Sequence, residues 1–275
     1  MPTERGIRGP LAAKGDSMKV VILCGGAGTR LREETEFRPK PMVNIGNRPI
    51  LWHIMKMYSI YGFHDFILCL GYKGETIKDY FLNYEVLNCD LTVELGNGKR
   101  VRLHSCHDEK DWRVTLADTG EAALKGARLK RIEKYIDDDV FMMTYGDGVS
   151  DVNFQELIEF HLSHGKMVTV TGVNPTSRFG ELKVQGDKVV KFVEKEEFGK
   201  AFSSGGFFVF NRTVFDYLTA DDACDLEIGP LEKIASEGEL MVYKHGGFWA
   251  CMDTMRDMEY LNRLWAEKNA PWKIW

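Results

Sequence analysis

The chain lacks most of the features that would announce a special environment. No apolar run approaches the roughly 18 residues of a membrane span, which argues against a membrane protein. Charge of one sign is missing too: 36 Lys and Arg against 41 Asp and Glu leave a net charge of −5. That balance speaks against a nucleic-acid coat or a polybasic membrane patch, but not against a small anionic ligand, which feels only local charge. Six cysteines (Cys24, Cys69, Cys89, Cys106, Cys224 and Cys251) form no CxxC pair, and scattered thiols in a large mixed chain read as reduced and cytoplasmic. The metal-like group His104, Cys106 and His107 has no partner cluster, so a strand end is the better reading than zinc. Met1–Ser17 has no apolar core of a signal peptide; it reads as a disordered extension or an expression remnant. Length alone allows about two domains. Without repeats or a low-complexity linker, residues 18–275 read as one.

The periodicities are those of a layered α/β domain. Lys19–Leu23 and Phe66–Leu70 are short continuous apolar runs closed by glycine, as expected for strands buried on both faces. Between them, Ile50, Ile54, Met57 and Tyr58 recur at helical spacing, with Pro49 in a first turn and Asn47 as the expected cap. Helix over 75–83 and near Leu129, strand at Val140–Tyr145, helix at Phe154–His164 and strand at Met167–Val173 continue the alternation. Hairpins are expected around Gly96–Lys99 and Gln185–Asp187, a strand at Gly206–Phe210 and a closing helix from Met255. The expected fold is α/β: a Rossmann-like, mostly parallel sheet with helices on both faces and antiparallel β elaborations.

Ligands of such sheets sit beyond the carboxyl ends of the strands. The first strand empties into Cys24-Gly25-Gly26-Ala27-Gly28-Thr29-Arg30-Leu31. Three glycines leave backbone N–H groups open to phosphate oxygens, and the planar fork of Arg30 suits phosphate; a tight turn with a solvated arginine is the bland alternative. A GxxxxGK[ST] loop is absent and GxGxxG fits poorly, so an ATPase loop and a nicotinamide dehydrogenase are disfavoured. Pro39 and Pro41 bracket Lys40 and restrict its backbone, which suits either a charge clamp or a stiff exposed loop. Asp147 lies between Gly146 and Gly148 at the end of an apolar strand, where a bare carboxylate is costly and a hard divalent cation is a natural partner. Asp253 is a second candidate ligand, with a helix cap as its competing role.

Cys24-Gly-Gly-Ala-Gly-Thr-Arg-Leu31 followed by Pro39-Lys40-Pro41 resembles the signature GGxGTRL…PKP of the sugar-1-phosphate nucleotidyltransferases. Pro49–Ile54, Tyr145–Ser150, Arg178-Phe-Gly180, Gly205–Phe208, Met252-Asp-Thr254 and Ala270–Trp275 are similar to the branch of that family that uses glucose 1-phosphate and CTP. The resemblance covers Met18 to Trp275 and implies CTP plus α-D-glucose 1-phosphate going to CDP-glucose and pyrophosphate, with Mg²⁺. Carried over by residue, Leu23, Gly25, Gly26, Gly28, Thr29, Arg128 and Gly146 line the nucleotide. Arg30 and Lys40 are the catalytic cations, Asp147 and Asp253 bind Mg²⁺, and Gly180, Glu194, Lys195 and Ser204 meet the sugar phosphate. The family pattern departs at two acceptor-side positions: Glu196 stands where Pro is usual and Ser204 where Asn is usual. The resemblance also implies a homo-oligomer, such as a hexamer. The rivals are the same chemistry on another sugar 1-phosphate or nucleotide, and a non-catalytic subunit that binds nucleotide sugar.

Overall fold

Four apolar residues, all buried, make the strand Val20–Leu23 (β1). With Asp65–Leu70 (β2), Arg113–Asp118 (β3), Val140–Tyr145 (β4), Val168–Val173 (β5), Ser203–Asn211 (β6) and Leu240–His245 (β7) it forms a seven-stranded sheet in the order β7-β5-β6-β4-β1-β2-β3. The computed structural model of the chain describes residues 18–96, 98, 100–104, 107–174, 181–185, 188–193 and 202–275. β1 runs parallel to β2 and β4, β2 to β3, and β5 to β7, whereas β6 is antiparallel to both of its neighbours. The sheet is therefore mostly parallel, as the strand and helix alternation predicts.

Side chains alternate between two layers because a strand repeats every second residue. Val20 and Ile22 pack with Phe66, Leu68 and the helices Ile50–Ser59 and Phe154–His164. Val21 and Leu23 pack on the other face with Ile67, Leu129, Phe215 and Ile234. Antiparallel elaborations are present: Leu91–Glu94 with Arg100–Leu103, Glu181–Gln185 with Lys188–Val193, and Gly148–Ser150 with Trp249–Cys251.

Asn47 does not cap the helix Ile50–Ser59. Pro49 takes the cap position with no side-chain cap, because Arg48–Pro49 pairs with Asn44–Ile45 and Asn47 falls in the turn between them. The expectation of reduced thiols holds at Cys24, Cys69, Cys224 and Cys251 and is corrected at Cys89, which is disulfide-bonded. His104 and His107 are engaged separately, with Thr92 at 2.9 Å and with Glu85 and Glu109 at 3.1 and 3.3 Å; Cys106 lies outside the described residues. Among the described residues no helix is long and apolar enough to cross a membrane. Strand order reverses at β1, which has β2 and β3 on one side and β4 on the other, so a crevice is expected at its carboxyl end.

Candidate active site

The glycine loop leaves β1 at that reversal. The Cys24 N–H still donates to the Cys69 carbonyl at 2.9 Å, and then the chain turns away. Gly28 is left-handed (φ 62°), a conformation that disfavours a side chain. At Gly25 the demand is space: a Cβ there would run into the Arg128 guanidinium. Arg128 is buried, and its Nη1 donates to the Leu70 carbonyl (3.0 Å), Thr119 Oγ1 (3.0 Å) and the Gly120 carbonyl (2.7 Å). Its Nη2 donates to the carbonyls of Gly25 (3.0 Å) and Glu121 (3.1 Å). Arg128 therefore joins the loops after β1, β2 and β3, with both terminal nitrogens committed to protein acceptors.

Pro39 is extended (φ −68°, ψ 150°) and starts the short turn Lys40–Met42, which aims Lys40 inward rather than into solvent. Its relative exposure is 8%. Lys40 Nζ donates to Asp147 Oδ2 at 2.9 Å and to Asp253 Oδ1 at 2.5 Å. Arg30 Nη1 lies 2.9 Å from the second oxygen of Asp253. Burial works to lower the Lys40 pKa, but Asp147 and Asp253 more than offset it and raise the ammonium above its ordinary value.

The two aspartates are far apart in the chain and are joined by a ribbon. Cys251 pairs with Gly148 in the antiparallel ladder, and the Met252 N–H donates to the Asp147 carbonyl at 2.8 Å. Asp253 is free of the capping duty considered for it. Thr254 caps the helix Met255–Ala266 in a reciprocal box with Asp257, so the Asp253 carboxylate can face Lys40.

Ligand atoms of Asp147, Cys251 and Asp253 lie within 4.8 Å of one another. Burial, with the two carboxylates adding to it, pushes the Cys251 thiol well up, and soft sulfur is not the donor that a hard divalent cation takes. That leaves two hard oxygen donors, half-exposed and close together, a set that fits a divalent cation of the oxygen-preferring kind. Without one, the flanking Lys40 and Arg30 neutralise the pair.

These groups form one end of a cavity of about 500 Å³. Leu23, Gly25, Gly26, Gly28, Arg30, Lys40, Arg128, Gly146, Asp147, Ser204 and Asp253 all line it. Thr29 is exposed and falls outside that lining. Gly180, Glu194 and Lys195 lie outside the described residues. Sequence reasoning missed the other wall: Lys125, Tyr145, Glu227 and Trp249 also line the cavity. The Tyr145 hydroxyl donates to Glu227, and Lys125 pairs with the same carboxylate. Glu227 follows the Asp225 turn, whose Oδ1 accepts its backbone N–H at 2.8 Å. No local pattern marks Lys125 or Glu227, because a helix start and a helical turn far apart in the chain bring them together.

Comparison with known proteins adds the following. The sequence pattern of the family described as "Nucleotidyl transferase" matches residues 19–257. The chain is 51% identical over 259 residues to the glucose-1-phosphate cytidylyltransferase of Salmonella typhi, covering 94% of this chain and 100% of that one. It is 43% identical over 258 residues to a probable glucose-1-phosphate cytidylyltransferase of Bacillus subtilis, again with 94% and 100% covered. Among solved structures, HddC from Yersinia pseudotuberculosis, complexed with GMP-PN, superposes with a TM-score of 0.66 at 22% identity over 90% of this chain and 99% of that one. That last likeness is one of fold.

Proposed function

Because the chain belongs to the nucleotidyl transferase family, we propose that it is a glucose-1-phosphate cytidylyltransferase, converting CTP and α-D-glucose 1-phosphate to CDP-glucose and pyrophosphate. One observation carries the reading: Lys40 held between Asp147 and Asp253, with Arg30 on the outer oxygen, at the glycine-loop end of the cavity. Near-full-length likeness to two proteins named for this activity supports the choice of CTP and glucose.

A phosphate oxygen of glucose 1-phosphate attacks the α-phosphorus of CTP in line. A new P–O bond forms as the bond to the bridging oxygen of the β-phosphate breaks, and the electron pair leaves with pyrophosphate. The acceptor phosphate carries at least one negative charge near neutral pH, so no histidine base is required. The work is to bring two anions together. Leu23, Gly25, Gly26, Gly28, Thr29, Arg128 and Gly146 hold the nucleotide in this reading, and Lys40 and Arg30 turn from the carboxylates toward the triphosphate. Mg²⁺ held by Asp147 and Asp253 would supply charge neutralisation at the α-phosphate and the acceptor together. Gly180, Glu194, Lys195 and Ser204 receive the sugar phosphate. Residues 18–275 act as one nucleotidyltransferase domain in this reading, which the single seven-stranded sheet supports; they work in the cytoplasm, where CTP is at hand, as a homo-oligomer.

Pyrophosphate release, measured with CTP, UTP, GTP and dTTP against glucose and mannose 1-phosphates, with and without Mg²⁺, tests the reading. CTP with glucose 1-phosphate should stand well above every other pair and vanish on chelation. A faster pair would reassign the substrate. Silence with all pairs would favour a non-catalytic subunit.

A further inference from the structure

The ribbon that joins Asp147 to Asp253 is only three residues long on each side, Gly148–Ser150 and Trp249–Cys251, and an isolated two-stranded piece of that size does not hold itself together. One end is closed by the metal-candidate carboxylates and their cations. The other end is closed by a polar cluster that the transfer reaction does not use. The ladder runs on there, with the Asp151 N–H donating to the Phe248 carbonyl at 3.2 Å. Ser150 Oγ donates to the same carbonyl at 2.7 Å. His245 Nε2 lies 2.9 Å from Asp151 Oδ1, 3.2 Å from the Phe248 carbonyl and 3.3 Å from Ser150 Oγ.

The chemistry of those neighbours assigns the proton. A carbonyl and a carboxylate oxygen can only accept, and the serine hydroxyl already donates to the carbonyl. Nε2 is therefore the protonated nitrogen. Asp151 Oδ1 is shut off from solvent and, among the described residues, receives no hydrogen bond; His245 Nε2, at 2.9 Å, is the polar group that faces it, and a buried carboxylate oxygen without such a neighbour is costly. His245 is also the last residue of β7, opposite Val173 of β5, which fastens the ribbon to the sheet. Along the ribbon, Trp249 Nε1 donates to the Gly205 carbonyl at 2.8 Å, so the same element reaches the strand that carries Ser204.

We propose that His245 and Asp151 are positioning residues: they lock the far end of the ribbon and thereby set the spacing of Asp147 and Asp253 for a divalent cation. This rests on the functional reading above only for what the two carboxylates hold.

The test is Mn²⁺ binding by titration calorimetry, without nucleotide or sugar, on the whole chain and on His245→Ala and His245→Gln. His245→Ala should weaken Mn²⁺ binding about 10-fold, the scale for lost support behind a metal ligand. In turnover it should lower kcat at fixed Mg²⁺ while leaving the KM for CTP within about twofold. His245→Gln keeps an N–H at the same reach and should recover most of the affinity, which a merely space-filling role would not predict. Unchanged Mn²⁺ affinity in His245→Ala, or a His245→Gln variant as weak as alanine, overturns the proposal. If His245→Ala does not fold, Asp151→Ala carries the same expectation and the same refutation. A parent chain that binds Mn²⁺ and weakens as described, yet releases no pyrophosphate, removes the transfer reading and leaves the positioning role standing.

Discussion

Lys40 and His53 are buried bases in neighbouring stretches of chain, and the regions around them treat a proton in opposite ways. Around Lys40 two carboxylates raise the ammonium's pKa against the pull of burial. Among the described residues no carboxylate acts on His53. Burial, helped by the cations of Arg48 and Lys273 and resisted by the Ile45 carbonyl, lowers the imidazole to about 4. Its Nε2 lies 3.0 Å from the Ile45 carbonyl, and Trp272 Nε1 donates to its Nδ1 at 3.4 Å, the bonding of a neutral ring. Trp52, Trp265 and Trp275 surround it. Arg128 is a third solution, a buried guanidinium whose hydrogen bonds go to carbonyls and a hydroxyl, with Asp222 adding only a minor charge. Burial alone thus decides nothing about charge; the partners do. A charge kept by removable carboxylates can be redirected to a substrate, whereas one committed to backbone carbonyls stiffens the loops it joins.

That contrast can be broken in three places. The largest effect is expected at the redirectable charge: Lys40→Met and Asp147→Asn should each lower turnover by about 10²-fold or more, with circular dichroism showing the fold intact. Single-turnover rates close to those of the parent would move the chemistry elsewhere. Next is the stiffening charge. Arg128→Met removes the donor to the carbonyls of Gly120 and Glu121 and one of the donors to those of Leu70 and Gly25 and should cost about 2 kcal/mol in denaturant unfolding; a loss of turnover without a loss of stability would mean that its main partner is a ligand. The smallest effect belongs to the neutral histidine. With a folded pKa of about 4 against an ordinary 6.5, His53 is neutral in the folded chain while the unfolded chain takes up a proton in that window. Its contribution is therefore complete above the unfolded value and falls as pH drops from about 6.5 toward 4, by about 1 kcal/mol per pH unit. His53→Gln should flatten that slope between pH 6.5 and 5, measured by chemical unfolding, whatever it does to stability at neutral pH.

Much of the central sheet was legible because a doubly buried strand has few ways to be written. Val20–Leu23 and Val140–Tyr145 are apolar throughout or nearly so and end in glycine. Boundaries set by side-chain competition were not legible. Asn47 and Asp253 are both good cap residues by type, yet a ribbon takes Asn47, and Thr254 with Asp257 takes the cap beside Asp253. The charged end of the site could be read because close phosphate approach calls for glycine, arginine and lysine at fixed spacing. The wall of Lys125, Tyr145 and Glu227 could not, since any polar residue of suitable length could stand there. The terminal Ala270–Trp275 shows the converse: it carries part of the family resemblance, yet Trp272 is fully buried against His53 and Phe248 and serves packing.

By itself the sequence determined an alternating α/β chain, a glycine loop at the end of its first strand, and the small set of cations and carboxylates available there. These follow from backbone period and from residue chemistry, both of which are local. Only the tertiary structure decided that Lys40 lies between Asp147 and Asp253, that a ribbon aligns those two carboxylates, and that Arg128 faces backbone carbonyls. Each depends on groups brought together by sheet order across long stretches of chain, and the charge that a buried group carries is set by whichever neighbours arrive.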